Sequence, residues 1–390
     1  MNNVLLIGLV SFFADLSTEM VYPLIPLYLT AAFGATPALI GLIEGISESL
    51  ASLLKVFSGY VTDRYRKKKL IAFSGYATGF IYKIALIFAT SWTGILLARV
   101  IDRFGKGVRT APRDVLVSES SRADKLGHSF GLHKALDMAG SAAGILVAWF
   151  IVARSESIAN YKTIFLYSCI PSIFALAMFI FIRETRSPIP AKQRLDLVGG
   201  FKRIDMRLKL YLLVAFVFTL GNSSNTFLLL RAQKIGFSPS SVILLYFVYN
   251  LISSLLAIPF GRLSDRLGRK RLLIAGYLTF AIVYFLFAFA RNRETIAAAF
   301  ALYGLYTALT AGVERAFIAE ISHPDLKGTM LGLHSTITGV ALFPASVIAG
   351  ILWTTFNDTV PFAFGASLSV CAALLLAVFL NTGTRKTARQ

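Results

Sequence analysis

The sequence predicts an all-helical membrane protein of twelve transmembrane helices arranged as two pseudo-symmetric six-helix bundles, and three observations lead to this prediction. Hydrophobic residues make up 56% of the 390 residues and charged residues only 15%, which is too apolar for a soluble domain. Apolar stretches of about 20 residues, the length that crosses a bilayer, recur along the whole chain. The second half of the chain also repeats motifs of the first half at a nearly constant offset.

The apolar stretches, taken in order, predict twelve spans separated by turn residues or clusters of charge. The first span begins almost at the amino terminus, lacks a small-residue cleavage site and contains Asp15 and Glu19. We therefore interpret it as a retained helix and not as a signal peptide. The predicted spans are 4–33, 37–62, 70–90, 92–119, 127–153, 160–183, 209–235, 239–262, 271–291, 294–321, 327–355 and 359–381.

Basic residues are concentrated in alternate loops, at 64–69, 183–209, 262–271 and 385–389. By the positive-inside rule these loops are cytoplasmic, which places both termini in the cytoplasm. We expect the membrane to be a bacterial inner membrane. The same loops account for the net charge of +19, so we expect no nucleic-acid partner.

The longest connection divides the spans six and six. It contains Pro, Gly and many charges, and it predicts an N-terminal bundle at 1–183, a cytoplasmic linker at 184–208 and a C-terminal bundle with a short tail at 209–390. Across this linker Asp63 matches Asp265 and Pro37 matches Pro239, each at an offset of 202. The repeat indicates an internal duplication.

These repeated motifs resemble the major facilitator superfamily over the whole chain. Its cytoplasmic motif Gly-x-x-x-Asp-Arg-x-Gly-Arg-Lys is complete at 261–270, whereas the first half has Arg66 where the motif has Gly. The resemblance implies a secondary transporter in which this motif latches the two halves on the cytoplasmic side. The gating residues expected from the motif and from the end of span four are Gly59, Asp63, Arg64, Arg113, Asp114, Glu119, Gly261, Asp265, Arg266 and Arg269.

Spans four and five also resemble superfamily motifs, with departures. Span four is similar to the basic fourth-helix motif at Arg99, with Asp102 and Arg103 in place of Gln and Gly. Span five has glycines, including Gly140 and Gly144, at the spacing of the antiporter motif, but it lacks that motif's Pro. Close helix packing explains these glycines equally well.

The charge in span four predicts the solute pathway. An ionisable side chain inside a membrane is costly unless it faces water or a partner, and at ~100° per residue the charged positions of this span share one face. A proton-coupling carboxylate must change its charge during the cycle, and the candidates are Asp15, Glu19, Asp102 and Asp137. The substrate-binding candidates are Arg99, Arg103, Lys106, Lys83, Glu44, Glu48, His133, Asn222, Asn225 and Tyr246.

Several functions fit these residues. We favour a proton-coupled antiporter that exports a drug or metabolite, with uptake of an organic anion or export of a divalent metal as alternatives. Structural pairing of the charges, or a membrane sensor or scaffold that moves no solute, is the competing interpretation. Nucleotide-binding and hydrolytic motifs are absent from the sequence, so we expect no enzyme activity, no cofactor and no resident metal. The expected partners are a small-molecule substrate, protons and the lipid bilayer, with the chain as a monomer.

Overall fold

The computed structural model describes residues 3–65, 67–120, 126–154, 158–184, 206–321 and 327–379. All the regular structure in these ranges is α-helical. The helices are α1 Asn3–Glu19, α2 Leu24–Phe33, α3 Pro37–Tyr65, α4 Lys68–Phe88, α5 Trp92–Glu119, α6 Leu126–Arg154, α7 Ile158–Ile180, α8 Met206–Gly221, α9 Thr226–Lys234, α10 Pro239–Leu267, α11 Arg269–Phe289, α12 Arg293–Ile321, α13 Lys327–Thr355 and α14 Val360–Phe379.

Eleven segments within the described ranges are long and apolar enough to cross a membrane. The remaining span is α5, which has sufficient length at 28 residues but carries too many charges to pass as apolar. With α5 included, the helices account for the twelve predicted spans. The prediction of an all-α membrane fold is confirmed.

The first and seventh spans are each broken into two helices, which differs from the continuous helices that the sequence predicted. The break between α1 and α2 covers Met20–Pro23, and the break between α8 and α9 covers Asn222–Asn225. Pro23 lacks the N–H that would continue a helix. In the second break a polar Asn-Ser-Ser-Asn run offers side-chain partners that compete with the helical hydrogen bonds. The two breaks are 202 residues apart, the offset of the sequence repeat.

Helix ends repeat at the same offset. Thr36 accepts a hydrogen bond from the Leu39 amide at the start of α3, and Ser238 accepts one from the Ser241 amide at the start of α10. Each cap is followed by a proline at the first helical position, where its missing N–H costs nothing. The duplication therefore extends to the local signals that start the helices.

Helix packing is also the same in both halves. The helix α1 packs against α6 and α7, as α8 packs against α13 and α14, and α3 packs against α5 as α10 packs against α12. The halves meet where α3 runs along α13 and where α6 contacts α10. The proposed linker lies largely at 185–205, outside the described residues, so its boundaries stay a prediction.

The two ends of the bundle differ. We call the basic end the one where α3 meets α4 and α10 meets α11, and the opposite end the one with the connections at 34–36, 235–238 and 356–359. At the opposite end α2 contacts α9, and the Ala38 amide donates to Thr354 Oγ1 across the halves. Glycines allow this contact, because an added Cβ at Gly41 would collide with the Ser346 backbone and one at Gly350 would lie 2.8 Å from Ala38 Cα. The halves are thus in close contact at the opposite end.

Candidate functional site

The charged face of α5 points into the protein, and the other face points outward. Arg99, Asp102 and Arg103 are 1–2% exposed, whereas Leu97 is 64% and Phe104 46% exposed. This distribution follows from the helical period, which places the charged positions opposite Leu97 and Phe104. The buried face turns toward α3 and α4, against which α5 packs.

Arg99 forms a buried ion pair with Glu44 of α3. Its Nη2 donates to both carboxylate oxygens at 2.7 Å, and the two side chains are 1% and 2% exposed. Ser224, in the break between α8 and α9, donates its hydroxyl to Glu44 Oε2 at 3.3 Å. The pair therefore reaches the other half of the molecule at the break in the seventh span.

Arg103 is paired one turn further along α5. Its Nη2 lies 2.9 Å from Glu48 Oε1 and its Nε 3.7 Å from Asp102 Oδ2. The Tyr22 ring lies under both guanidinium groups, at 5.3 Å from Arg99 Cζ and 5.8 Å from Arg103 Cζ. These two arginines are neutralised by acids of α3 and α5 and stack on the break in the first span.

Asp102 is surrounded by basic side chains. Among the described residues its Oδ2 has no hydrogen-bond donor, and the charges that attract it are those of Arg103, Lys83, Arg99 and Arg109. Its carboxylate is held by surrounding positive charge and by the 3.7 Å approach of Arg103.

Lys106 differs from the arginines of the same helix. It lies on the same face of α5 as Arg103, yet its side chain is exposed and it forms no ion pair or hydrogen bond with another described side chain. Since this face is opposite the outward-facing Phe104, its ammonium lies on the inner side of α5. Of the α5 bases, Lys106 is available to a ligand.

Asp15 of α1 and Asp137 of α6 bring their carboxyl groups close enough for each to act on the other. Both side chains are half-buried. The two helices approach closely because an added Cβ at Gly140 or Gly144 would collide with the backbone of Phe12 or Leu16. The glycines of span five thus act as packing residues in this structure, and their packing brings the two carboxyl groups together.

His133 lies one turn before Asp137 on α6 and also contacts α1. Its Nε2 lies 2.8 Å from Ser11 Oγ, and Ser11 Oγ lies 3.4 Å from the Tyr76 hydroxyl. Ser11 precedes Asp15 by four residues on α1, and His133 precedes Asp137 by four residues on α6. The two pairs therefore stack along these helices. Arg109 of α5 lies next to these residues, with its Cζ 4.7 Å from the centre of the Tyr76 ring.

Lys83 was expected to bind substrate, but it is 1% exposed. Its Nζ donates to Thr18 Oγ1 at 3.3 Å and lies 4.9 Å from the Tyr82 ring centre. Lys83 is buried beside α1, and its charge acts on Asp102. A contact with substrate would require the Lys83 side chain to move. Its role in substrate binding stays a prediction.

The other half presents amides and tyrosines to this cluster. Asn222 Nδ2 donates to the Tyr306 hydroxyl at 3.1 Å, and the Tyr303 hydroxyl donates to Asn225 Oδ1 at 2.7 Å. The Tyr246 hydroxyl donates to Glu19 Oε2 at 3.5 Å. Tyrosine rings continue from one half into the other with centroids 5.1–5.8 Å apart, in the order Tyr22, Tyr246, Tyr249, Tyr303 and Tyr306.

At the basic end the expected gating residues form contacts within each half. Glu119 pairs with Lys68, and Arg269 Nη1 lies 3.0 Å from Glu320 Oε2. These two pairs are related by an offset of 201. Arg113 Nη2 pairs with Asp114 at 2.9 Å. The sequence analysis assigned gating roles to Glu119 and Arg269 but not to Lys68 and Glu320. The repeat offset relates Lys68 to Arg269 and Glu119 to Glu320.

The remaining gating residues are described only in part. Gly59, Asp63 and Arg64 lie in α3 and Asp265 in α10, but their side chains are outside the described atoms. Gly261 has open space around the position of a Cβ, and Arg266 is exposed. Gly268, between α10 and α11, has a φ of 90°, which an L-residue rarely adopts. The equivalent Arg66 lies outside the described residues.

The two histidines lie in different halves and in different surroundings. His133 contacts Ser11, whereas the His334 ring stacks on Tyr211 at 5.9 Å and 11°. Within the described ranges, no three His, Cys, Asp or Glu side chains are grouped as metal ligands. Nothing in that part of the chain favours the divalent-metal alternative.

Two residues of the site were missed from the sequence. Tyr22 and Ser224 carry no charge, and both become important because the first and seventh spans break beside them. The signal that could have found them is Pro23 and the Asn-Ser-Ser-Asn run, each inside a predicted span.

Comparison with known proteins agrees with this architecture. Residues 7–231 and 210–390 match the model of the Major Facilitator Superfamily. An uncharacterised MFS-type transporter of Methanocaldococcus jannaschii is 36% identical over 380 residues, which cover 96% of this chain and 94% of the relative. Multidrug resistance protein MdtH of Proteus mirabilis is 23% identical over 319 residues, 80% of this chain and 77% of the relative.

Two solved structures have the same fold. The nucleoside transporter NupG superposes with a TM-score of 0.79 at 14% identity, covering 98% of this chain and 100% of that one. A D-xylose-proton symporter superposes with a TM-score of 0.78 at 17% identity, covering 97% of each chain.

Proposed function

We propose, since the chain belongs to the Major Facilitator Superfamily of membrane transporters, that it couples the movement of a small solute to protons by alternating access. The proton is carried by Asp15 and Asp137. Export of a drug or metabolite in exchange for protons is the direction we favour.

The proximity of the Asp15 and Asp137 carboxyl groups is the observation that carries this proposal. Two ionised carboxylates side by side repel each other and have no hydrogen-bond donor, so we propose that the pair holds one shared proton. Both groups are half-buried and therefore partly accessible. The positive charge of Arg109 acts on Asp15 and stabilises the pair after the proton leaves.

The contacts between the two halves support alternating access. Because the basic loops mark the cytoplasmic side, we propose that the opposite end faces outward and that both termini are cytoplasmic in a plasma membrane. Close contact of the halves at the opposite end, through α2 with α9 and α3 with α13, then corresponds to a conformation closed to the outside. Rocking of the halves would separate Ser224 from Glu44 and open that end.

The names of similar proteins favour a direction of transport. Relatives with multidrug-resistance names are 23–24% identical to this chain, and they favour export. Uptake of an organic anion remains a second candidate because the Lys106 ammonium is exposed and has no paired acid among the described residues.

Proteoliposomes containing the wild type, Asp15→Asn or Asp137→Asn test this proposal with a solute identified by thermal-shift screening. Each variant should still exchange solute for solute, which needs no net proton movement, but should not accumulate it under a pH gradient. Glu294→Gln, at an exposed carboxylate of α12, serves as the control and should accumulate normally. Accumulation by both Asp variants at the wild-type level would place the coupling elsewhere, with Asp102 the next candidate.

A further inference from the structure

Lys106 and Glu19 are opposite charges that act on each other without forming a pair. Glu19 is half-buried, and Lys106 exerts the strongest attraction on it, followed by Arg103. Its carboxylate accepts a hydrogen bond from the Tyr246 hydroxyl at 3.5 Å. Lys106 forms no ion pair with any described carboxylate.

Two opposite charges left apart at membrane depth are costly unless water or a ligand connects them. The neighbouring charges of this cluster are instead paired directly, Arg99 with Glu44 and Arg103 with Glu48. Lys106 and Glu19 thus differ from these directly paired charges, and both are accessible, since Lys106 is exposed and Glu19 is partly exposed.

The surroundings of Glu19 suit an ammonium group. The rings of Tyr22 and Tyr246 lie 5.8 Å apart, and Tyr246 touches Glu19 through its hydroxyl. A ligand cation beside Glu19 would therefore lie against aromatic faces, which attract it electrostatically. The Lys106 ammonium suits a carboxylate or another acidic group.

We propose that Lys106 and Glu19 are the two ends of one binding site for a small zwitterion. Lys106 binds its acidic group, and Glu19 with Tyr22 and Tyr246 binds its ammonium. A singly charged solute would neutralise one end and leave the other charge without a partner. The assignment rests on the proposed function, in which Asp15 and Asp137 carry the proton and leave Glu19 free to bind substrate.

Matched compounds test the charge requirement on the wild-type protein. Thermal stabilisation of the purified transporter is measured with phenylalanine, phenethylamine and 3-phenylpropanoate, and with leucine, isoamylamine and 4-methylpentanoate. In at least one set, the zwitterion should bind about tenfold or more tightly than either singly charged analogue, because it makes one additional charged contact. Equal stabilisation by an amine or an acid alone, or no stabilisation by either zwitterion, would overturn the proposal.

Two variants separate the ends of the site. Lys106→Gln should weaken zwitterion binding by about tenfold to a hundredfold and leave the amine unaffected, while Glu19→Gln should weaken the zwitterion and leave the acid unaffected. Lys162→Gln and Glu294→Gln, at exposed positions of α7 and α12, are the matched controls and should bind as the wild type does. A uniform loss of all three compounds in both variants would contradict separate ends. The wild-type comparison decides the question if a variant does not fold.

Proton movement distinguishes this inference from the proposed function. A pH-sensitive dye inside proteoliposomes reports whether entry of the zwitterion moves protons. Zwitterion transport without proton movement would contradict the coupling but leave the binding site intact. Proton-coupled transport of a singly charged solute would support the coupling and contradict the zwitterion site.

Discussion

The Glu44 carboxylate lies between an arginine of its own half and a serine of the other. Its bidentate contact with Arg99 and its bond from Ser224 satisfy a charge that would otherwise be costly to bury. Removing one member of such a pair leaves the other charged and unsolvated, which costs more than the intact pair contributes. The ion pair therefore holds α3 and α5 in one arrangement.

Glu44→Gln should destabilise the protein by about 3–5 kcal/mol, because Arg99 then remains buried without a counter-charge. Glu48→Gln is the matched control and should cost less, since Glu48 is 25% exposed and its partner Arg103 keeps Asp102 at 3.7 Å. Thermal and denaturant unfolding of the purified variants gives both values. Equal destabilisation by the two changes would contradict the buried role of Glu44.

Sequence patterns located this charge cluster but could not assign its partners. Arg103 and Lys106 looked equivalent in the sequence, since both lie on the polar face of span four. The structure separates them, because Arg103 is 2% exposed and paired while Lys106 is exposed. Pairing depends on the rotation and depth of neighbouring helices, which a single helix pattern does not encode.

Helix packing determines whether the Asp15 and Asp137 carboxyl groups meet. The backbones of α1 and α6 approach through Gly140 and Gly144, where side chains would collide. The same glycines have the spacing of an antiporter motif, and here that spacing has a direct consequence for the carboxyl pair.

Gly140→Ala should separate α1 from α6, cost about 1–3 kcal/mol through overpacking, and weaken proton-driven accumulation more than solute exchange. Gly312→Ala is the control, since no atom lies within 4 Å of its Cβ position. Unfolding measurements and the ratio of accumulation to exchange report the two effects. Full accumulation in a destabilised Gly140→Ala protein would show that the pair tolerates separation.

Helix boundaries were largely predictable, whereas the breaks in the first and seventh spans were not. Capping residues and prolines mark the starts of α3 and α10 in the sequence. The sequence also contains Pro23 and the Asn222–Asn225 run. The average hydropathy over a whole span does not reveal a short break inside it. Only contacts with the other half, such as Ser224 with Glu44, show that the breaks carry site residues.

An ion pair between Lys68 and Glu119 joins α4 to α5 at the basic end. Lys68→Glu should disturb the contact between α4 and α5 by placing two acids together at Glu119, which lowers the melting temperature. The double variant Lys68→Glu/Glu119→Lys should recover most of the loss, as a double-mutant cycle requires for a direct pair. No recovery would mean that Lys68 stabilises the end by other contacts.

At the scale of the molecule, the proposed alternating access separates the two halves at the opposite end. Ala38 and Thr354 are in contact there, since the Ala38 amide donates to Thr354 Oγ1 between α3 and α13. Cysteines at both positions, introduced after Cys169 and Cys371 are replaced by serine, should form a disulfide and stop transport until a reductant is added. Each single cysteine variant is the control and should remain active. Undiminished transport by the cross-linked protein would contradict opening at this end.

Coupling through this carboxyl pair would determine how the transport cycle depends on the pH gradient. We expect one proton to move with each solute molecule, because we propose that the pair shares one proton. With the membrane potential clamped at zero, the solute ratio at which net flux reverses should then change about tenfold for each pH unit across the membrane.

Measuring this reversal point in proteoliposomes of the wild type and of Asp15→Asn/Asp137→Asn tests whether the two aspartates couple solute movement to protons. We expect the tenfold dependence in the wild type and no dependence on the pH gradient in the double variant. A reversal point that ignores pH in the wild type, or that keeps its full pH dependence without the two aspartates, would contradict this coupling.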